Sequence, residues 1–416
     1  MAVLSSQEII GIGLQADIDT EASAYNIIPV NAGGFTASET FENILDTGRR
    51  GSEAMDYQAY AGVGSTEITL EFPMMWGNDS GTSGSVLGIL LRNLLGTGST
   101  GATSASAGTQ TDPYRAEIVD GASGGNSSTW NSFFRLGNRS TAEYLTICRT
   151  LTATAGTGGS DPIYMGCRVS EITITADAGE GPITVSATLT GRKADATGSE
   201  ETILLGTQSD NIALGWKNSL IGTASKLYGT ETNASTTPYQ NVLLGNAMYN
   251  ASLGNAANRM VSFEVTMSRE VTPVYSLNNS QNYQDIYLGP LEVTYNAVAQ
   301  LDDTEVARIR GFRTSTPDTT YDTKVAFTQG TAHDNDDARA LVIGIADSTP
   351  LEAPMEIDTS GAYATVSING RALATGANLL LTDSDYDNAD NYKRSPIEIQ
   401  ITETGANNST LPPTYS

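Results

Sequence analysis

The feature that most constrains this chain is the alternation of polar and apolar residues with a period of two. Thr66-Glu67-Ile68-Thr69-Leu70-Glu71-Phe72 and Glu171-Ile172-Thr173-Ile174-Thr175-Ala176 both carry apolar side chains at every second position. That pattern buries one face of a strand and wets the other, whereas on a helix it would scatter the apolar residues around the cylinder. The second run leads into the turn formers Asp177-Ala178-Gly179-Glu180-Gly181-Pro182 and then into a third alternating run over 183–190, which predicts an antiparallel hairpin. Strand patterns recur at 35–40, 261–267, 291–299, 365–368 and 397–401. Thr, Val, Ile and Tyr suit a half-buried pleat, and the abundant Gly and Asn suit the turns between strands. The chain is predicted to be mainly β.

Two segments read as helix. Ser85 caps 86–95, where Val86, Leu90 and Leu94 form a stripe and Gly96 supplies the stop. Asp302 and Glu305 form a capping pattern that opens 303–310, stopped by Gly311. These helices expose an internal echo. Gly64-Ser65-Thr66-Glu67-Ile68-Thr69-Leu70 can be laid over Gly289-Pro290-Leu291-Glu292-Val293-Thr294-Tyr295, each with a tyrosine-bearing loop upstream and a capped helix downstream. Thr184-Val185-Ser186…Gly191-Arg192 likewise matches Thr365-Val366-Ser367…Gly370-Arg371. The expectation is two tandem units, 1–200 and 201–416, each a packed antiparallel β-sandwich flanked by a short α-helix, with long inter-strand loops. The tracts 96–110 and 194–200 are rich in Gly, Ser, Thr and Ala and carry no periodicity.

Charge narrows the partners. Asp and Glu number 47 against 22 Lys and Arg, a formal net charge of −25. Gripping phosphates needs clustered cations, so a nucleic-acid groove is not expected. Such acidity keeps a concentrated protein soluble, and it would also let DNA pass without sticking. The N-terminus lacks the basic region of a secretory signal, and the longest apolar run, 86–91, is too short to span a bilayer. The chain is therefore expected to be made in a cytoplasm, with no membrane contact. Cys148 and Cys167 lie in strand-like runs and read as buried small hydrophobes.

No reaction centre is legible. The lone histidine, His333, sits in an acidic run, and no G-x-S-x-G elbow, P-loop or G-x-G-x-x-G fingerprint accompanies it. One His and two separated Cys make a zinc site improbable. Asp383, Asp385 and Asp387 resemble the start of a calcium loop, but position twelve is Arg394 where a bidentate Glu is needed. The doublet Arg49-Arg50 fits an acidic neighbour better than DNA. The chain is thus expected to be a structural protein and not an enzyme, with no catalytic residues, cofactor or metal. Its interface residues would be tyrosines and arginines of the long loops.

The stretches 56–72, 263–267 running through 286–294, and 165–190 together resemble siphophage major tail tube proteins. The resemblance implies paired sheets flanked by a helix, and subunits whose inner sheets join into the β-barrel lumen of a ring. Rings stack into a tube for DNA delivery, and long loops reach the neighbouring ring. Carried onto this chain, those loops would run from about 41 to 63 and from 269 to 288. Phe41, Arg49, Arg50, Tyr57, Tyr60, Arg269, Tyr275, Tyr283 and Tyr287 would then be assembly contacts. Glu67, Glu71 and Glu292 would be candidates for the acidic lining. The implied partners are further copies of the chain, favoured as a trimeric pseudo-hexamer over a hexamer, and the tail terminator, baseplate or tail-tip and tape-measure proteins. DNA would pass without specific binding. The implied location is the virion tail, after assembly in the host cytoplasm. The competing reading is a β-rich capsid decoration or surface adhesion protein, which has no need of two matched, helix-flanked units.

Overall fold

A computed structural model describes residues 8–15, 17–22, 25–46, 58–75, 85–95, 114–121, 128–136, 143–150, 162–178, 181–192, 194, 219–221, 260–277, 280–300, 321–329, 339–350, 356–374 and 395–404. Up to residue 191 the elements are β1 (Ile9–Gln15), β2 (Asn26–Ile28), β3 (Phe35–Asp46), β4 (Gln58–Pro73), helix α1 (Val86–Leu95), β5 (Tyr114–Gly121), β6 (Ser128–Arg135), β7 (Tyr144–Thr150), β8 (Ile163–Asp177) and β9 (Thr184–Gly191). Thereafter come β10 (Ser219–Ile221), β11 (Met260–Val274), β12 (Asp285–Gln300), β13 (Tyr321–Gln329), β14 (Arg339–Pro350), β15 (Glu356–Asp358), β16 (Thr365–Ala372) and β17 (Glu398–Thr404). The mainly-β expectation holds, and every strand pairing among the described residues is antiparallel. The segments 303–310 and 383–390, His333 and the boundary near 200 lie outside the described residues.

Alternation builds one long sheet in the order β3-β4-β9-β8-β11-β12-β16-β15. Its inner face is apolar through the five central strands. Ile68, Leu70 and Phe72 of β4, Val185, Ala187 and Leu189 of β9, and Ile172, Ile174 and Ala176 of β8 are all buried. So are Phe263, Val265 and Met267 of β11 and Val293, Tyr295 and Ala297 of β12. A second layer covers this face. It comprises β2-β1-β7 joined to the first part of β8, and β10-β13-β14-β17-β6-β5 joined through the end of β14 to β16. One apolar cluster runs from Ile10 through α1 to Ile401.

Strand β8 belongs to both layers because it bends. Its ladder with β7 shifts register around Gly166, which has φ near +65°, and its ladder with β9 shifts again between Val169 and Glu171. The Val169 N–H that the second bulge withdraws from the ladder donates instead to Asn93 Oδ1 of α1 at 2.8 Å. Leu87, Ile89, Leu90, Leu91, Leu94 and Leu95 of that helix are buried, and Ser85 caps it through the Gly88 N–H at 3.4 Å. The helix is apolar on nearly every side because it packs inside the molecule against β8, β6 and β2.

The two longest hairpins share an irregularity. In β3–β4 the register breaks between Phe41 and Asn43, opposite the skipped Gly62 and Val63; in β11–β12 it breaks between Arg269 and Val271, opposite Gly289 and Pro290. A Cβ on Gly62 would lie 2.8 Å from the Glu42 Cβ, and one on Gly289 would lie 2.9 Å from the Glu270 Cβ. Each bulge therefore requires glycine opposite its glutamate. Superposing the two hairpins on these breaks matches Gly62, not Gly64, with Gly289, two residues away from the match read in the sequence. A shift of two leaves every side chain on the same face. Beyond each break the ladder continues to Asp46 and Val274, so Phe41, Tyr60, Arg269 and Tyr287 lie in strands and not in the loops expected over 41–63 and 269–288.

The sheet's two faces make a contrast within a single strand. Met267→Ala removes a fully buried side chain and is expected to cost about 2–5 kcal/mol, whereas Ser262→Ala on the other face should stay within about 0.5 kcal/mol. Urea midpoints of the two variants check this, and equal losses would contradict the burial of one face only.

Candidate assembly surfaces

The solvent face of the long sheet is built mainly from hydroxyls, amides and carboxylates, with Val298 an apolar exception. Antiparallel register places them in rows: Glu71–Ser186–Thr173–Thr266–Thr294–Arg371 in one, and Thr184–Thr175–Glu264–Asn296–Asn369 in the next. The hydroxyls of Thr173 and Thr266 lie 3.0 Å apart. Glu67, Glu71, Glu171, Glu264 and Glu292 are exposed. Arg371 is the one exposed cation on these strands among the described residues, and its Nη1 lies 3.3 Å from Glu292 Oε1. Exposed ion pairs contribute little stability, so this contact acts mainly by neutralising the arginine. A surface of short polar side chains carrying spaced negative charge offers a polyanion nothing to bind.

The second surface is the distal end of the β11–β12 hairpin, which lies over strands of the first 200 residues. Where β9 ends beside Gly191, the freed edge of β4 is taken up by the 275–284 turn. Gly64 N–H donates to the Gln281 carbonyl at 3.0 Å, Gln281 Nε2 donates to the Gly62 carbonyl at 3.1 Å, and Tyr275 Oη donates to the Gly64 carbonyl at 3.3 Å. Deeper in, Tyr283 is fully buried and donates to the Gly166 carbonyl at 2.8 Å. Its own carbonyl accepts Arg192 Nε at 2.9 Å and Nη2 at 2.7 Å, while Arg192 Nη1 reaches the Ile18 carbonyl and Asp19. A buried guanidinium that spends its fork on carbonyls and one carboxylate is fully committed to holding this turn.

Arg269 donates Nη1 to the Leu94 carbonyl at 2.9 Å, closing the C-terminal end of α1, and Nε to Gly289. Tyr144 donates to Asp285 Oδ1 at 2.7 Å, and Tyr144, Tyr283 and Ile286 pack together with Ile18, Val271 and Leu288 against them. Burial first, and then the Asp285 carboxylate, push the Tyr144 phenol up to about 12. Desolvation lowers Arg168, stacked 5.2 Å from the Tyr144 ring, to about 10, so it stays charged at neutral pH.

The expected contact residues thus separate into three groups. Tyr283, Arg269 and Tyr275 are engaged inside the chain. Phe41, Tyr60 and Tyr287 stand exposed on hairpin ends, beside Ile44, Leu45, Val274 and Leu277. Arg49, Arg50 and Tyr57 lie outside the described residues. Glu67, Glu71 and Glu292 all fall on the solvent face of the long sheet. Sequence reasoning passed over Arg192, Gln281 and Asp285, although Arg192 stood in the Gly-Arg echo; nothing local marks an arginine as buried. Cys148 and Cys167 are both buried. Among the described residues no cluster of three or more His, Cys, Asp or Glu could hold a metal, and no helix is long and apolar enough to cross a membrane.

Compared with known proteins, residues 5–372 match the family model described as phage tail tube protein. No curated protein matches the chain.

The Tyr144 phenol keeps its proton to about pH 12 in the folded chain, whereas an unfolded tyrosine releases it near its ordinary value of 10.0. The unfolded state therefore loses protons first, and stability present below pH 10 should fall as pH rises towards 12. Urea midpoints from pH 8 to 12 should show this decline. It should be shallower in Tyr144→Phe, and an identical decline would remove Tyr144 from the account.

Proposed function

The chain belongs to the phage tail tube protein family and is a structural component of the virion tail, and from that premise we propose that three copies form each ring of a stacked, hollow tube. Each chain carries two units of one design, so that a ring of three presents six units. The observation that carries this reading is the single long sheet whose solvent face is predominantly polar and acidic, with Val298 its apolar exception and Arg371 its one exposed cation among the described residues.

Sheet width supports the count. Eight strands from one chain, closed on themselves, would leave almost no bore. About 24 strands spaced ~4.8 Å give a circumference of about 115 Å before tilt, and a bore of roughly 27 Å or more once side chains are allowed for. That bore admits a DNA duplex. Glu67, Glu71 and Glu292, joined by Glu171 and Glu264, line it, and the scarcity of exposed cations lets DNA slide.

The two-unit reading is supported by topology. The order β1-β7-β8-β9-β4-β3 is repeated by β10-β13-β14-β16-β12-β11, with the same break and the same glycine–glutamate contact in the long hairpin. The exposed apolar residues Phe41, Tyr60, Leu277 and Tyr287 at the hairpin ends, with Arg49, Arg50 and Tyr57 nearby in sequence, supply the contacts between stacked rings. The tail terminator, the tail-tip or baseplate proteins and the tape-measure protein cap and fill the tube, which assembles in the host cytoplasm.

Electron microscopy of the purified protein should show hollow, striated tubes, and mass measurement of released rings should give three chains. Six chains per ring would sink the two-unit count, and persistent monomers at high concentration would sink the tube. Tubes carrying Glu71→Lys and Glu264→Lys should assemble normally. Phage built from them should lose roughly tenfold or more in titre, because added cations bind the passing phosphates; an unchanged titre would remove these residues from the bore.

A further inference from the structure

The long sheet has two ends, β3 and β15, and among the described residues each pairs on one side only. Unpaired edges of this kind must be covered or matched. The same chain contains a finished example of such a match. At β8–β11, Val265 stands opposite Ile174, Thr266 opposite Thr173 and Glu264 opposite Thr175. This joint connects two strands that are each the outer strand of a four-strand group, β3-β4-β9-β8 and β11-β12-β16-β15.

Both free edges have their counterpart at that joint. Phe35 of β3 occupies the place of Phe263 of β11, because each lies six residues before the last paired position ahead of the break, Phe41 and Arg269. On the other side, Ile357 of β15 stands opposite Val366 as Ile174 of β8 stands opposite Val185, and Thr365-Val366-Ser367 repeats Thr184-Val185-Ser186. Ile174 is fully buried while Ile357 is 42% exposed. The same position is finished at the inner joint and open at the outer one.

We propose that β15 of one copy pairs antiparallel with β3 of the next in the register of the inner joint, with Ile357 opposite Ala37 and Asp358 opposite Thr36. This rests on the two-unit reading above. The partner is a second copy of this chain, because the two edges reproduce the two sides of a joint the chain already makes with itself. The chemistry agrees with the register. Ile357 gains Ala37 on the apolar face, as Ile174 has Val265, and the Asp358 carboxylate meets the exposed Thr36 hydroxyl on the polar face. Since the two edges differ, the contact is head-to-tail, and its repetition closes a ring with even spacing between units.

Directly opposite residues of an antiparallel pair lie within disulfide reach. The double variant A37C/I357C, oxidised after assembly, should give covalent multimers, and each single variant should not. The displaced pair S38C/I357C points its cysteines to opposite faces and should crosslink at least about fivefold less. The native Cys148 and Cys167 are buried and do not interfere. Tubes seen by microscopy without the 37–357 crosslink, or with equal crosslinking of the displaced pair, would overturn the register and leave the tube standing. A folded chain that forms neither particles nor crosslinks would overturn both. As an independent check, Ala37→Asp sets a charge on the apolar side of the edge. It should abolish assembly while the far-ultraviolet circular dichroism of the monomer is unchanged, and tubes of normal yield would count against the joint.

Discussion

Everything in this molecule depends on the ladder between β8 and β11, where Glu171–Asp177 runs beside Ser262–Ser268. A β-sheet is stable only where its backbone groups find partners, and each outer strand otherwise carries a row that water must satisfy. The ladder removes two such rows at once and continues an apolar face without interruption from Ile172 and Ile174 to Val265 and Met267. The Arg192–Tyr283 and Arg269–Leu94 contacts are then locks on a joint that hydrophobic continuity has already set. A buried arginine is costly unless its donors are used; Arg192 and the partly buried Arg269 spend theirs on carbonyls that a turn and a helix end leave open.

Much of this architecture was legible from the period of the hydrophobic pattern. Runs such as 66–72, 171–176 and 183–190 could only be half-buried strands, and the capped stretch 86–95 became α1 with the same bounds. The solvent face was readable too, because Glu67, Glu71 and Glu292 alternate with buried residues. What escaped was long-range. Nothing in the residues around Gly166 announces that β8 would leave one layer for another, since a bulge is a relation between strands. The extension of the long hairpins beyond Phe41 and Arg269 was hidden for the same reason: a bulge interrupts alternation, and a broken alternation resembles a loop. The Gly64–Gly289 match made by sequence differs by two residues from one made by the register breaks, which pair each glycine with the glutamate opposite.

The loops taught a related lesson about tyrosine. Tyr275, Tyr283 and Tyr287 look equivalent in the sequence, yet one is half-engaged, one fully buried and one exposed. A tyrosine has both an apolar ring and a donor, so it serves an interior turn as well as an interface. Only the presence of a carbonyl such as that of Gly166 within reach decides between them.

The Glu292–Arg371 pair has a consequence for motion. Under the proposed two-unit reading, ladder register sets Arg371 in the place of Thr190 and not of Arg192, with which the sequence echo had matched it, so the arginine would have no counterpart in the first unit. A tube of three chains per ring would then carry this dipole three times per turn, not six. In such a tube a sliding polyanion would meet a shallow, periodic potential, and a guanidinium already held by a carboxylate would add little depth to each well. Transit would be limited by hydrodynamic drag more than by release from successive binding sites, a property that a single unpaired arginine at this position would change.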